Sequence, residues 1–179
     1  NHKILVLIGF LMYLIVFFSW IIVSYQLPVY IIPIAMFSIL LTVLLDTTVA
    51  LISSTILILL ISLLIGNDLD FAIIQFFISF IAILSVRKLR KRRQIIATML
   101  TLVFCGLFVF FSVMLFKGID FLDYNYSTVG YLALASFLCP ILAFGLVPLF
   151  ESFFGITTDL SLIELLDYDQ PLLKKLMED

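Results

Sequence analysis

Glu151, Asp159 and Glu164 stand close together near the end of the chain. Carboxylates at short spacing are the raw material of general acid–base chemistry. They lack the partners such chemistry needs. The single histidine is His2, and the two cysteines, Cys105 and Cys139, lie inside apolar runs. With no base or nucleophile beside them, the acids read better as helix caps and solvated groups. The cysteines read as small packing hydrophobes. No CxxC and no Cys/His cluster occurs, which removes a zinc site of the usual spacing. No catalytic, cofactor-binding or metal-binding residue is therefore assigned in this chain.

The elements that would carry these groups are apolar. Hydrophobic residues make up 64% of the 179 residues and charged residues 12%. A soluble domain is nearer half and a quarter, so the lipid bilayer is the expected surrounding. A net charge of −2 gives no reason to expect a nucleic-acid partner. Six apolar runs approach the roughly 20 residues that a span needs: 4–25, 29–45, 47–65, 71–86, 95–116 and 128–150. The first is about twice the length of a signal-peptide core and has no small-residue cleavage site after it. It reads as a span. The second and third runs are split only by Asp46, which predicts a tight turn at Asp46-Thr47-Thr48 with Asp or Thr capping the third helix. The fourth is short and gains reach if Arg87 and Lys88 snorkel. The fold class expected is all-α, a polytopic transmembrane bundle of six spans with short cytoplasmic amphipathic helices.

Orientation rests on the run 87–93, which carries six basic residues and no acid. The positive-inside rule puts this loop in the cytoplasm. By alternation the Asp46 turn and both termini fall on the same side. Topology is the plain reading of the loop, and binding of anionic lipid or nucleotide is the other.

Within the spans, ionisable side chains are missing at mid-depth, which counts against a proton relay, a retinal Schiff base or an ion-coupled transporter. Gln75 is the deepest strongly polar residue. Ser53, Ser54, Thr55, Ser79 and Ser136 offer hydrogen bonds between helices, and Gly130, Ala133 and Ala135 offer close approach. Pro28 and Pro33 start the second run, where a missing N–H costs little. Pro140 and Pro148 flank Gly145 in the last run and predict a kink there, either a hinge or a static bend.

Residues 1–150 thus read as the bundle and 151–179 as a coupling segment. Ser161-x-x-Glu164 fits a capping box, with Asp159 a competing cap. Leu162, Ile163, Leu165 and Leu166 follow on one face. Pro171 suits the first position of a second helix, with Leu172, Leu173, Leu176 and Met177 on its apolar side. The chain begins with Asn1, and its helical pattern runs into Asp179, so a piece of a longer protein is expected.

The run Pro148-Leu149-Phe150-Glu151-x-x-Phe154-Gly155-Ile156-Thr157-Thr158-Asp159-Leu160-x-Leu162-x-Glu164-Leu165, followed by Pro171-Leu172-Leu173-Lys174-Lys175-Leu176, resembles the end of the membrane region in bacterial seven-transmembrane HD-domain proteins. The Leu44-Leu45-Asp46 turn and the basic loop resemble that family too. Where the family often has an Asn/His-rich linker, this chain has Asp167-Tyr168-Asp169-Gln170. The resemblance implies the anchoring and signal-transmitting region of a cyclic di-AMP phosphodiesterase in the bacterial inner membrane. It implies an extracytoplasmic domain and a cytoplasmic HD domain as partners, a divalent metal (manganese or iron) in the HD domain, and room for a homodimer. The competing expectations are a six-span transport component of the energy-coupling-factor substrate-binding type and a membrane scaffold. A lone Gly9 and no alanine in the first run count against the transporter.

Overall fold

The computed structural model describes residues 2–87, 93–118 and 126–154. All regular structure among them is helical: α1 (His2–Ser24), a 3-10 turn (Val29–Ile31), α2 (Ile34–Leu44), α3 (Thr47–Ile65), α4 (Leu69–Val86), α5 (Arg93–Phe116) and α6 (Tyr126–Phe154). In a bilayer core every backbone group must be paired within the protein, and a helix does this by itself. Five of the helices are long and apolar enough to cross a membrane, and 29–44 forms a shorter apolar stretch.

That stretch differs from the single span expected over 29–45. Two prolines divide it. Pro28 precedes the 3-10 turn, and Pro33 precedes α2. Ile32 sits before Pro33 and is extended, at φ −57° and ψ 120°, because a residue before proline is pushed out of the helical region. The remaining helix has 11 residues, or about 16 Å, roughly half of the hydrocarbon thickness. It is the centre of the bundle. Eight of its residues are buried, and it packs on α3, α4 and α6, with a lesser contact to α1. α5 lies outside, against α4 and α6, and α1 rests mainly on α3.

The outer surface is oily. Phe104, Phe108 and Phe116 on α5 are 70%, 74% and 95% exposed. Such a face is stable only against lipid or another apolar surface.

The turns are built as their residues dictate. The Asp46 carboxylate accepts from Thr48 N–H at 3.2 Å and caps α3, as expected. Gly66 closes α3 in the left-handed region at φ 110°, where a glycine meets no steric penalty. The Asp68 carboxylate accepts from the N–H groups of Asp70 and Phe71 at 3.0 and 3.1 Å and starts α4. Arg87 lies near enough to act on Asp46, so the α2–α3 turn and the end of α4 share one end of the bundle. Lys117 pairs with Asp70 at the other end.

The backbone N–H groups of Thr48 and Thr47 hold the Asp46 carboxyl below the usual carboxylate range. Because the folded value is depressed, its contribution is present above the unfolded pKa and is lost as pH falls through the folded one. Thermal unfolding compared at pH 7 and at pH 3 should show a lower midpoint in acid, and Asp46→Asn should flatten that difference. Equal pH dependence in both proteins would exclude this cap as the cause.

Candidate functional site

Two of the buried polar side chains, Gln75 of α4 and Ser136 of α6, line one small cavity against α6. Its buried side chains are Leu132, Ser136, Cys139, Pro140, Ala143 and Val147. Their spacing of three, four and seven puts them on one face, and α6 packs on α2 and α5. Cys139 meets the backbone N–H of Met36, in the first turn of α2, where helical N–H groups have no partner within their own helix. The buried thiol packs against the start of α2.

Pro140 is buried. It has no N–H, so the Ser136 carbonyl, four residues earlier, receives no bond from it. Ser136 also lines a small cavity, of about 10 Å³, with Tyr30, Gln75 and Cys139. One phenol, one carboxamide, one hydroxyl and one thiol thus meet where the 3-10 turn, α4 and α6 come together. The Gln75 carboxamide has two donors and can accept as well, and the residue is 3% exposed. No Asp, Glu, Lys, Arg or His lines this cavity, so it supplies hydrogen bonds and no acid–base pair. Its volume suits about one water molecule and is far below the several hundred Å³ of an ordinary ligand pocket. The site is a junction between helices.

Above the junction an aromatic cluster pins the bundle's end. Tyr30 stacks at a tilt on Phe71, with ring centres 5.8 Å apart, and meets Phe110 edge-on at 5.9 Å. The Lys117–Asp70 pair ties the end of α5 to the start of α4. Ser62 Oγ donates to the Asp68 carbonyl at 2.9 Å and joins α3 to the α4 cap.

α6 extends through Phe154, and both Pro140 and Pro148 lie inside it. Its 29 residues span about 43 Å, so it runs past the apolar run expected at 128–150. Glu151 is in its last turn and half-buried. Asp159, Glu164, both tail helices and Lys88 lie outside the described residues.

The hydroxyls and small residues are used differently from what their mere presence implies. Of Ser53, Ser54, Thr55, Ser79 and Ser136, it is Ser54 that bonds across helices, to Ser38 at 2.8 Å. Ser38 was not singled out by its place in an apolar run. Gly130 has open space around its Cα. The close approach is at Gly106, where an added Cβ would lie 3.3 Å from Ile78 Cδ1 and from Ser136 Oγ. Gly106→Ala should be near neutral, since the Ile78 tip can yield. Gly106→Val should destabilise by about 1–3 kcal/mol through overpacking, read as the midpoint of detergent-induced unfolding. Equal stability of the two variants would place the contact elsewhere.

Among the described residues, no group of three or more His, Cys, Asp or Glu is arranged to hold a metal ion. The family model described as 7TM receptor with intracellular HD hydrolase matches residues 1–158. The cyclic-di-AMP phosphodiesterase PgpH of Bacillus subtilis (strain 168) is 29% identical over 157 residues, covering 84% of this chain. The matched part is 22% of that protein's length. No solved structure matches the chain.

Proposed function

This chain belongs to the family of 7TM receptors with an intracellular HD hydrolase, and on that premise we propose that it anchors a cyclic di-AMP phosphodiesterase and relays a signal to it along α6. The chain is membrane region, and the matched stretch is about a fifth of the relative's length. The phosphodiesterase activity, its substrate and the divalent metal of an HD domain are therefore proposed for the whole protein. So are placement in the bacterial inner membrane and a cytoplasmic location for the Asp46 end.

The observation that carries the relay is the build of α6. It is one helix from Tyr126 to Phe154, anchored at mid-length on the central α2 and weakened there by Pro140. A proline inside a helix removes one backbone bond and crowds the preceding turn, so bending is cheapest at that point. A change around Tyr30, Gln75 and Ser136 moves the helix on one side of Pro140. The other side carries the motion toward Glu151. The cavity at Tyr30, Gln75, Ser136 and Cys139 is too small for the substrate that an energy-coupling-factor component would hold.

The test uses the full-length protein in membranes. Pro140→Ala restores the missing backbone bond and should shift cyclic di-AMP hydrolysis, or its response to the signal, by about fivefold or more, the lower end of common coupling energies. Unchanged hydrolysis and an unchanged response in Pro140→Ala and Pro148→Ala would leave anchoring as the whole function.

A further inference from the structure

A hydroxyl in this bundle usually donates to the carbonyl four residues earlier. Ser19, Ser38, Ser54 and Thr55 all do so, at 2.6 to 3.1 Å. This local bond is the default for Ser and Thr in a helix without water. Ser79 departs from it. It is 2% exposed, yet its Oγ has no hydrogen-bond partner. A buried hydroxyl left unpaired is costly, and the Gln75 carbonyl four residues back is not used to relieve it.

Ser79 lines a second small cavity, of about 10 Å³, between α3 and α4, with Ser54 and Thr55 on the facing helix. Phe76 and Phe80 stand at its lipid side, rings stacked with centres 6.5 Å apart. A buried water needs roughly this volume and two to four polar partners. Ser54 and Thr55 spend their own protons on the carbonyls of Ala50 and Leu51. Their oxygens keep lone pairs and can accept. The geometry points to a resident water molecule in this cavity, which accepts from Ser79 O–H and donates to Ser54 Oγ and Thr55 Oγ1.

The donor count closes without a spare. The water gives two protons and takes one. Ser54 Oγ already meets Ser38 Oγ at 2.8 Å; Ser38 has a single proton, so in this scheme it turns from the more distant Ile34 carbonyl, at 3.1 Å, to Ser54, whose oxygen retains one lone pair for the water. The result is a continuous chain, Ser38–Ser54–water–Ser79, that links α2, α3 and α4 through their middle. These three helices thereby become one block. The site stands independently of the relay and of the phosphodiesterase.

The experiment measures thermal unfolding of the full protein in detergent micelles by far-ultraviolet circular dichroism. Ser79→Ala expels the water's donor and should lower the bundle's midpoint by about 2–4 °C. An unchanged or raised midpoint overturns the site, since removing a truly unpaired hydroxyl relieves the chain. Thr55→Val and the double variant complete a cycle. Thr55 and Ser79 share no direct bond, so losses that overlap in the double variant support a bridging water. Strictly additive losses overturn it.

Discussion

Phe37→Ala is expected to lower the stability of the bundle by about 2–3 kcal/mol. Phe37 has no exposed surface and lies on α2, so its ring is enclosed by the helices that α2 packs on. Phe→Ala in a soluble core costs about 3–5 kcal/mol, part from transfer out of water and part from the cavity left behind. In lipid the first part falls away, because the hydrocarbon outside is as apolar as the interior. Lost dispersion contacts remain. The matched control is Phe116→Ala, at a side chain 95% exposed, which should leave the unfolding midpoint unchanged. Similar losses at both positions would mean that α2 is not the packed centre.

Ala143→Leu should cost about 1–3 kcal/mol through overpacking and, under the proposed function, should also alter hydrolysis in the full-length protein. Ala143 has no exposed surface and sits between Pro140 and Val147 on the buried face of α6. Three added carbons there must push α6 away from its neighbours, since interiors hold few voids of that size. Its sequence neighbour Leu142 is 47% exposed. Leu142→Ala should change neither quantity. If Ala143→Leu destabilises the bundle yet leaves hydrolysis and its response untouched, the proposed relay through α6 fails and the proposed anchoring alone remains.

The length of apolar runs located α1, α3, α4, α5 and α6 well, because a span must be about as long as the bilayer is thick. The run 47–65 and α3 coincide. α4 starts two residues before the run at 71, since Asp70 is helical and Asp68 caps it. Hydropathy measures oil, and a helix needs only bonded backbone. Pro28 and Pro33 were visible, but their joint effect depends on Ile32 being forced straight between them. The central place of α2 was not legible. In a chain this uniformly apolar, no contrast between faces marks which helix is inside. The same uniformity hid Gly106 and Ser38, whose roles come from what stands opposite them. The Asp46 cap was readable because capping is settled within a few residues. The Lys117–Asp70 pair joins residues 47 positions apart and needed the fold.

The burial of α2 by helices encoded after it has a bearing on biogenesis. Leu44 leaves the ribosome about 80 residues before Tyr126, the first residue of α6. At the usual pace of synthesis, about 5–20 residues per second, α2 waits roughly 4–16 s for its last partner. Its 11 residues are too few to hold a span alone, so the tight Asp46 turn lets it enter as a hairpin with α3. During that interval the face that will receive Cys139 is turned to lipid or to the insertion machinery. A ribosome stalled before Tyr126 would leave this nascent chain with its centre uncovered, a natural substrate for membrane quality-control proteases.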